Sequence, residues 1–186
     1  MQVKHVIISK QGKTCENYEK FKQLIIEKNV SVILVKQGDR LQIDRFIYFD
    51  ILFPSDELIT ENVLNNNSIV AKLNYGNFSC VFTGDIEEVT EKEIVEKYKD
   101  TDSLKATILK VAHHGSKTSS IQDFLQLVSP RIALIGVGEN NTFGHPNMNV
   151  LERLKVLGAK VYRTDLYGEI QIQVNDRGKI KIRTML

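Results

Sequence analysis

Cysteine is scarce in this sequence, and that removes whole classes of small stapled folds. Only two of the 186 residues are cysteine, Cys15 and Cys80, and neither sits in a CxxC or Cys/His pattern. A zinc finger or disulfide framework is therefore excluded, and the two read as reduced thiols. Their surroundings differ: a polar helix start, KTCENYEKF, and an apolar strand, FSCVF. No apolar run approaches the about 20 residues that a membrane span needs. The N-terminal MQVKHVIISKQGK holds only the short run from Val6 to Ile8 and no cleavage-site pattern, so it does not read as a secretory signal. The location expected from these absences is the cytoplasm. Charge of one sign is missing too: 25 Lys and Arg stand against 23 Asp and Glu, for a net +2. That argues against broad electrostatic binding of nucleic acid and leaves only a local patch open. Repeats and low-complexity segments are absent.

What is present is ordinary globular composition, 42% hydrophobic and 26% charged, enough apolar material for one core and one domain over residues 1–186. Short β-branched runs at residues 3–9 and 30–35 predict strands, the second of a buried type; between them residues 16–28 have apolar residues at helical spacing. Two strand-like runs, LQI and FIYFDILF, occupy residues 40–53, and the asparagine-rich residues 55–67 read as a loop. Gly76 and Asn77 join SIVAKLNY to FSCVF as a hairpin. Residues 87–98 form a helix with an acidic start, favourable with the helix dipole. Strands over residues 106–111 and 132–137 then alternate with helices over 119–128 and 149–157, Ser119 or Ser120 capping the first helix and Gly158 stopping the second. Strands at 161–164, 169–174 and 179–183 close the chain, the last two joined by a turn ending in Gly178. A mixed sheet with helices outside fits this α/β order.

Three segments carry residues suited to chemistry. VFTGD delivers Asp85 at the end of an apolar strand, directly after a glycine that lets the backbone approach closely; an ordinary Asp-capped turn is the alternative. LKVAHHGSKTSS ends a strand in the pair His113 and His114, one suited to bind a metal and the other to orient it or touch substrate. Gly115 and Ser116 offer backbone N–H groups and a hydroxyl for an oxyanion; two solvent-facing loop histidines are the plainer reading. GVGENNTFGHPN sets His145 before Pro146, which biases its backbone towards extended values; a plain αβ connection is the alternative. All of these groups follow the C-terminal ends of predicted strands, so a shared sheet edge brings them into one pocket. The remaining histidine, His5, lies within a predicted strand and reads as structural.

Taken together, TGD, KVAHHGSKTSS, GENNTFGHPN and VYRTDLYGEIQI resemble the metallo-β-lactamase-fold hydrolase domain of ComEC-type competence proteins, and TGD and HHGS are shared with related phosphodiesterases, phosphorylcholine esterases among them. The resemblance covers most of the chain. It implies that Asp85 bridges two metals, zinc or manganese, that His114 binds the second metal with His113 beside it, and that His145 lies near the site, with His113 and His145 as the catalytic pair. Ser116, Asn140 and Asn141 are the substrate-facing residues it suggests.

The family also carries an HxHxDH motif upstream of these elements. Here the only histidine before His113 is His5. The expected fold is accordingly an αββα sandwich incomplete at its N-terminal side. A truncated product, a second chain supplying the other half and a degenerate site all remain open. Exposed apolar sheet surface or strand edges are expected, with Val3 to Ile8 near the boundary, and the isolated chain is expected to self-associate or to be only marginally stable. Asp85 and His114 alone make a weak metal site, since zinc sites use about four ligands. The function implied is a metal-dependent phosphodiesterase acting on DNA. A non-catalytic binding module keeping the fold, and a small-molecule phosphodiesterase or esterase, are the alternatives.

Overall fold

Side chains alternate across a strand, and that alternation builds this molecule in layers. The computed structural model describes residues 3–10 and 12–185. In chain order the elements are β1 (His5–Ser9), α1 (Glu16–Glu27), β2 (Ser31–Val35), β3 (Arg40–Gln42), β4 (Ile47–Phe53), α2 (Val63–Asn66), β5 (Val70–Tyr75), β6 (Phe78–Phe82) and α3 (Glu88–Tyr98). There follow β7 (Ile108–Lys110), α4 (Gln122–Val128), β8 (Ile132–Ile135), α5 (Met148–Val156), β9 (Lys160–Arg163), α6 (Thr164–Tyr167), β10 (Glu169–Val174) and β11 (Ile180–Met185). A tight turn at Ala112–Gly115 lies between β7 and α4.

Strands β3 to β9 form one seven-stranded sheet in sequence order. Its first half is antiparallel, and from β6 to β9 the strands are parallel, joined by α3, α4 and α5. Val81, Leu109, Ala133 and Ile135 point to the helical face, where they join Ile94, Phe124, Leu125, Val150 and Leu154 in the main core. Each fully buried Val, Leu, Ile or Phe side chain among them contributes about 1.5–3 kcal/mol by leaving water. The alternate residues Phe78, Cys80, Ile108, Ile132 and Leu134 point the other way, against Ile172, Val174 and Ile180 of the β10–β11 hairpin. At the far end, Val35 of β2 packs on Ile51 and Ala71. Helices on one face of a mixed sheet and a second layer of strands on the other make an α/β layering. That second layer is in two pieces, β1–β2 (parallel) and β10–β11 (antiparallel), not hydrogen-bonded to each other.

Three expectations need correction. The strand read as buried, β2, is exposed at Val32, Ile33 and Leu34 and buried only at Val35; it pairs with β1 alone, so no neighbouring layer covers it. The loop over residues 55–67 contains a helical turn, α2, because Asn67 closes it by donating from Nδ2 to the carbonyls of Ile59 and Val63. Neither Ser119 nor Ser120 caps α4; the Glu91 carboxylate of α3 accepts from the Ser120 and Ile121 N–H groups at 2.7 and 2.8 Å instead. Among the described residues no helix is long and apolar enough to cross a membrane.

Candidate functional site

The parallel strands β6, β7 and β8 end on one edge, and the three motif loops leave from it. The TGD loop turns tightly because Gly84 is left-handed, φ +56°, and lies against Ser68, whose Cβ would stand 2.6 Å from an added side chain. The Thr83 hydroxyl donates to the Lys110 carbonyl at 2.7 Å, and His113 N–H donates to the Gly84 carbonyl at 3.1 Å. The first loop is thus stitched to the second. Gly115, also left-handed at φ +79°, sits so close to Pro146 that a Cβ there would be 2.7 Å from the proline Cβ. Its carbonyl accepts from Asn147 N–H at 2.8 Å, which ties the second loop to the third.

The carboxylate and imidazoles meet on this rim. Asp85 Oδ1 lies 3.7 Å from His114 Nε2, both side chains about half exposed. His114 Nδ1 is 2.5 Å from the Gly136 carbonyl, so that nitrogen carries the proton and Nε2 presents its lone pair towards Asp85. The His113 ring stands edge-on to His145, centroids 5.8 Å apart, and Phe143 stacks on His145 at 5.9 Å. Partial burial and the neighbouring His113 and His114 rings hold the His145 imidazole below its ordinary value, Asp85 acting in the opposite sense. Beneath the rim, Lys110 sends its Nζ to the Val111 carbonyl at 3.0 Å. Burial lowers the ammonium's proton affinity, and the Asp85 carboxylate counters that.

The other residues singled out from sequence are placed differently. Asn141 clamps the backbone of His145: its Nδ2 donates to the His145 carbonyl at 2.8 Å and its Oδ1 accepts from His145 N–H at 3.0 Å. Asn140 is exposed in the same loop. Ser116 is buried; its N–H donates to the His113 carbonyl at 2.9 Å and its hydroxyl lies 3.0 Å from that of Thr118. Two of the donors expected to hold an oxyanion there, the Ser116 N–H and hydroxyl, are used inside the loop. His5 is exposed at the start of β1.

Sequence reading passed over Glu87 and Asn65. Glu87 Oε1 is 3.5 Å from His113 Nδ1, and Asn65 Nδ2 is 3.5 Å from His113 Nε2. The signals were there, an acid two residues beyond Asp85 and three consecutive asparagines at residues 65–67, but only the fold brings them to the histidine. The YRTD element also gains a part: Thr164 Oγ1 accepts from Val137 N–H and donates to the Val137 carbonyl, both at 2.7 Å, anchoring the base of the third loop. Among the described residues no three His, Cys, Asp or Glu side chains come close enough to hold a metal ion.

No protein-family model matches the chain. It is 36% identical over 176 residues to ComE operon protein 3 of Bacillus subtilis (strain 168), covering 95% of this chain and 22% of that protein. It is 34% identical over 137 residues to competence protein ComA of Neisseria gonorrhoeae, covering 74% of this chain and 19% of that one. The chain thus spans about a fifth of the length of these curated relatives. A Parabacteroides distasonis crystal structure called a metal-dependent hydrolase is similar with a TM-score of 0.48 at 12% identity, over 86% of this chain and 76% of that one. With an identity above a third carried through nearly its whole length, the chain belongs to the ComEC-type competence-protein family, of whose longer members it matches one segment.

Proposed function

We propose that the rim of Asp85, His113, His114 and His145 is part of a metal-dependent hydrolase site for phosphodiesters, with DNA as the substrate. The observation that carries this reading is the pair Asp85 and His114. Their facing atoms, 3.7 Å apart, are too far for a hydrogen bond. Two ligands on one zinc, each about 2.1 Å from it and at a tetrahedral angle, stand roughly 3.4 Å apart. The Gly136 carbonyl holds His114 in the tautomer that leaves Nε2 free to bind. Asp85 and His114 would hold the metal, zinc or manganese. When bound, it would supply an activated water and charge stabilisation at phosphorus. His113 and His145, whose rings meet edge-on 5.8 Å apart on the same rim, would hold or pass a proton, burial and the neighbouring His113 ring lowering the proton affinity of His145. The competence names of the relatives favour DNA over a small phosphodiester.

Two donors are fewer than the about four of a closed zinc site. The chain's own affinity is therefore weak, and the remaining donors come from outside this pair. A second reading, a binding module that keeps the fold without the chemistry, is favoured by the same donor count. Titration calorimetry with zinc and with manganese is expected to show weak binding that Asp85→Ala abolishes. Fusing a segment bearing an HxHxDH motif ahead of Met1 is expected to raise metal affinity and hydrolysis of single-stranded DNA together. Stoichiometric metal that survives dialysis and is indifferent to Asp85→Ala would overturn this assignment. A fused chain that gains metal but cleaves neither DNA nor a small phosphodiester would favour the binding module.

A further inference from the structure

His113 has a left-handed backbone, φ 48° and ψ 42°, and its ring, mostly buried, faces Glu87, the residue just ahead of α3. The Nδ1 atom is fully buried and makes no hydrogen bond of good geometry. The group it faces is the Glu87 carboxylate, 3.5 Å away, itself only 15% exposed. That carboxylate is already the meeting point of three segments. Its Oε1 accepts from the Thr118 hydroxyl at 2.9 Å; its Oε2 accepts from Asn62 Nδ2 at 3.0 Å and from Asn66 Nδ2 at 3.4 Å. Because Thr118 donates to Glu87, its own oxygen is left to accept from Ser116, so a chain of hydroxyls runs from the HHGS loop into the carboxylate.

An ionised carboxylate only accepts, and it has about four lone-pair positions. Three are met by the donors just named, and the remaining one on Oε1 faces His113. A bare Nδ1 there would set lone pair against lone pair in a buried place. A protonated Nδ1 points a donor at the charge instead. The other ring nitrogen agrees: Nε2 faces the Asn65 amide nitrogen at 3.5 Å, a donor that calls for a lone pair. The His113 backbone cannot turn away, since its N–H is bound to Gly84 and its carbonyl to Ser116 N–H.

We propose that Glu87 is a positioning residue which holds His113 with its proton on Nδ1, so that Nε2 is the basic atom offered to the rim. His114 reaches the same state through a different anchor, the Gly136 carbonyl. The adjacent histidines, whose side chains leave the turn in different directions, then both present an unprotonated Nε2. For catalysis this matters only if the rim is the hydrolase site proposed above; the tautomer itself does not depend on that reading.

The test is a long-range proton–nitrogen NMR spectrum of the full metal-free chain, at a pH where the imidazoles are neutral. It reports which nitrogen of each ring carries the proton. The wild-type chain should show His113 and His114 both protonated at Nδ1. Glu87→Gln keeps the shape but can turn an N–H towards Nδ1; His113 should shift to the Nε2-protonated form while His114 stays unchanged. Thr118→Ala leaves the carboxylate in place and should leave the His113 tautomer as it was, which separates the charge from general disturbance of the loop. A wild-type His113 protonated at Nε2 overturns the proposal without any variant having to fold. So does a His113 signal indifferent to Glu87→Gln in a chain whose other signals match the wild type. Failure of the hydrolase reading would show instead as absent metal binding and absent cleavage with both tautomers as stated.

Discussion

Two adjacent non-glycine residues, His113 and His114, have left-handed backbones, and Gly115 continues the same conformation. Each such position costs an L-residue roughly 1–2 kcal/mol, and such strain persists where surrounding bonds impose it. Here the imposing bonds are Gly84 and Ser116 to the His113 backbone, and Asn147 to Gly115. A comparison of two truncations isolates the cost. His114→Gly and His114→Ala both lose the imidazole and its bond to Gly136, but only alanine keeps the strained Cβ. The glycine variant is expected to be more stable than the alanine variant by about 1 kcal/mol, read as the difference in urea midpoint. Equal midpoints would mean that the turn relaxes and holds no strain.

At the scale of elements, α3 and α4 are joined by one buried carboxylate. Glu91 is fully buried and accepts from both N–H groups at the start of α4, while Arg153 of α5 donates to the Ser120 carbonyl at 3.0 Å. Burial pushes the Glu91 carboxyl up to about 7, against the pull of those two backbone bonds and of Arg153. The folded state therefore holds a proton that the unfolded chain, near its ordinary 4.5, has already released. Between those values the folded form binds more protons, so the contribution of this group to stability falls as pH rises from about 4.5 to 7 and is level above. Glu91→Gln should remove that slope. Denaturation at several pH values should show wild-type stability dropping relative to the variant by on the order of 1–3 kcal/mol across this window. Parallel profiles would show that Glu91 is ionised throughout.

For the molecule as a whole, the break in the second strand layer dominates. Between β10 and the β4–β8 part of the sheet lies an apolar cavity of about 470 Å³, lined among others by Ile47, Leu73, Tyr75, Phe82, Ile172 and Val174. Phe82 is 40% exposed, and Ile7, Val32 and Leu34 add apolar surface on the β1–β2 pair. Apolar faces and open strand edges of this kind drive association. We propose that the chain self-associates through this face. Sedimentation at micromolar concentration is expected to show dimers or larger species, and Leu73→Lys combined with Ile172→Lys should shift them towards monomer. A wild-type chain that stays monomeric throughout would count against it.

The local grammar of this protein is legible along the chain. The hairpin at Gly76 and Asn77, the stop at Gly158 and the alternation of strand and helix from β6 to β9 follow from periodicity and turn residues, which act between near neighbours. So does the placing of Asp85, His113, His114 and His145 after strand ends. Tertiary structure alone decided the rest. A cap supplied by Glu91 from another helix, a clamp by Thr164 on Val137, and a carboxylate from Glu87 facing His113 all join residues about 26 or more positions apart. No local pattern encodes such pairs, because they arise only when the strands lie side by side. The exposure of β2 has the same origin: an apolar run is buried only where a neighbouring layer covers it, and over Val32 to Leu34 none does.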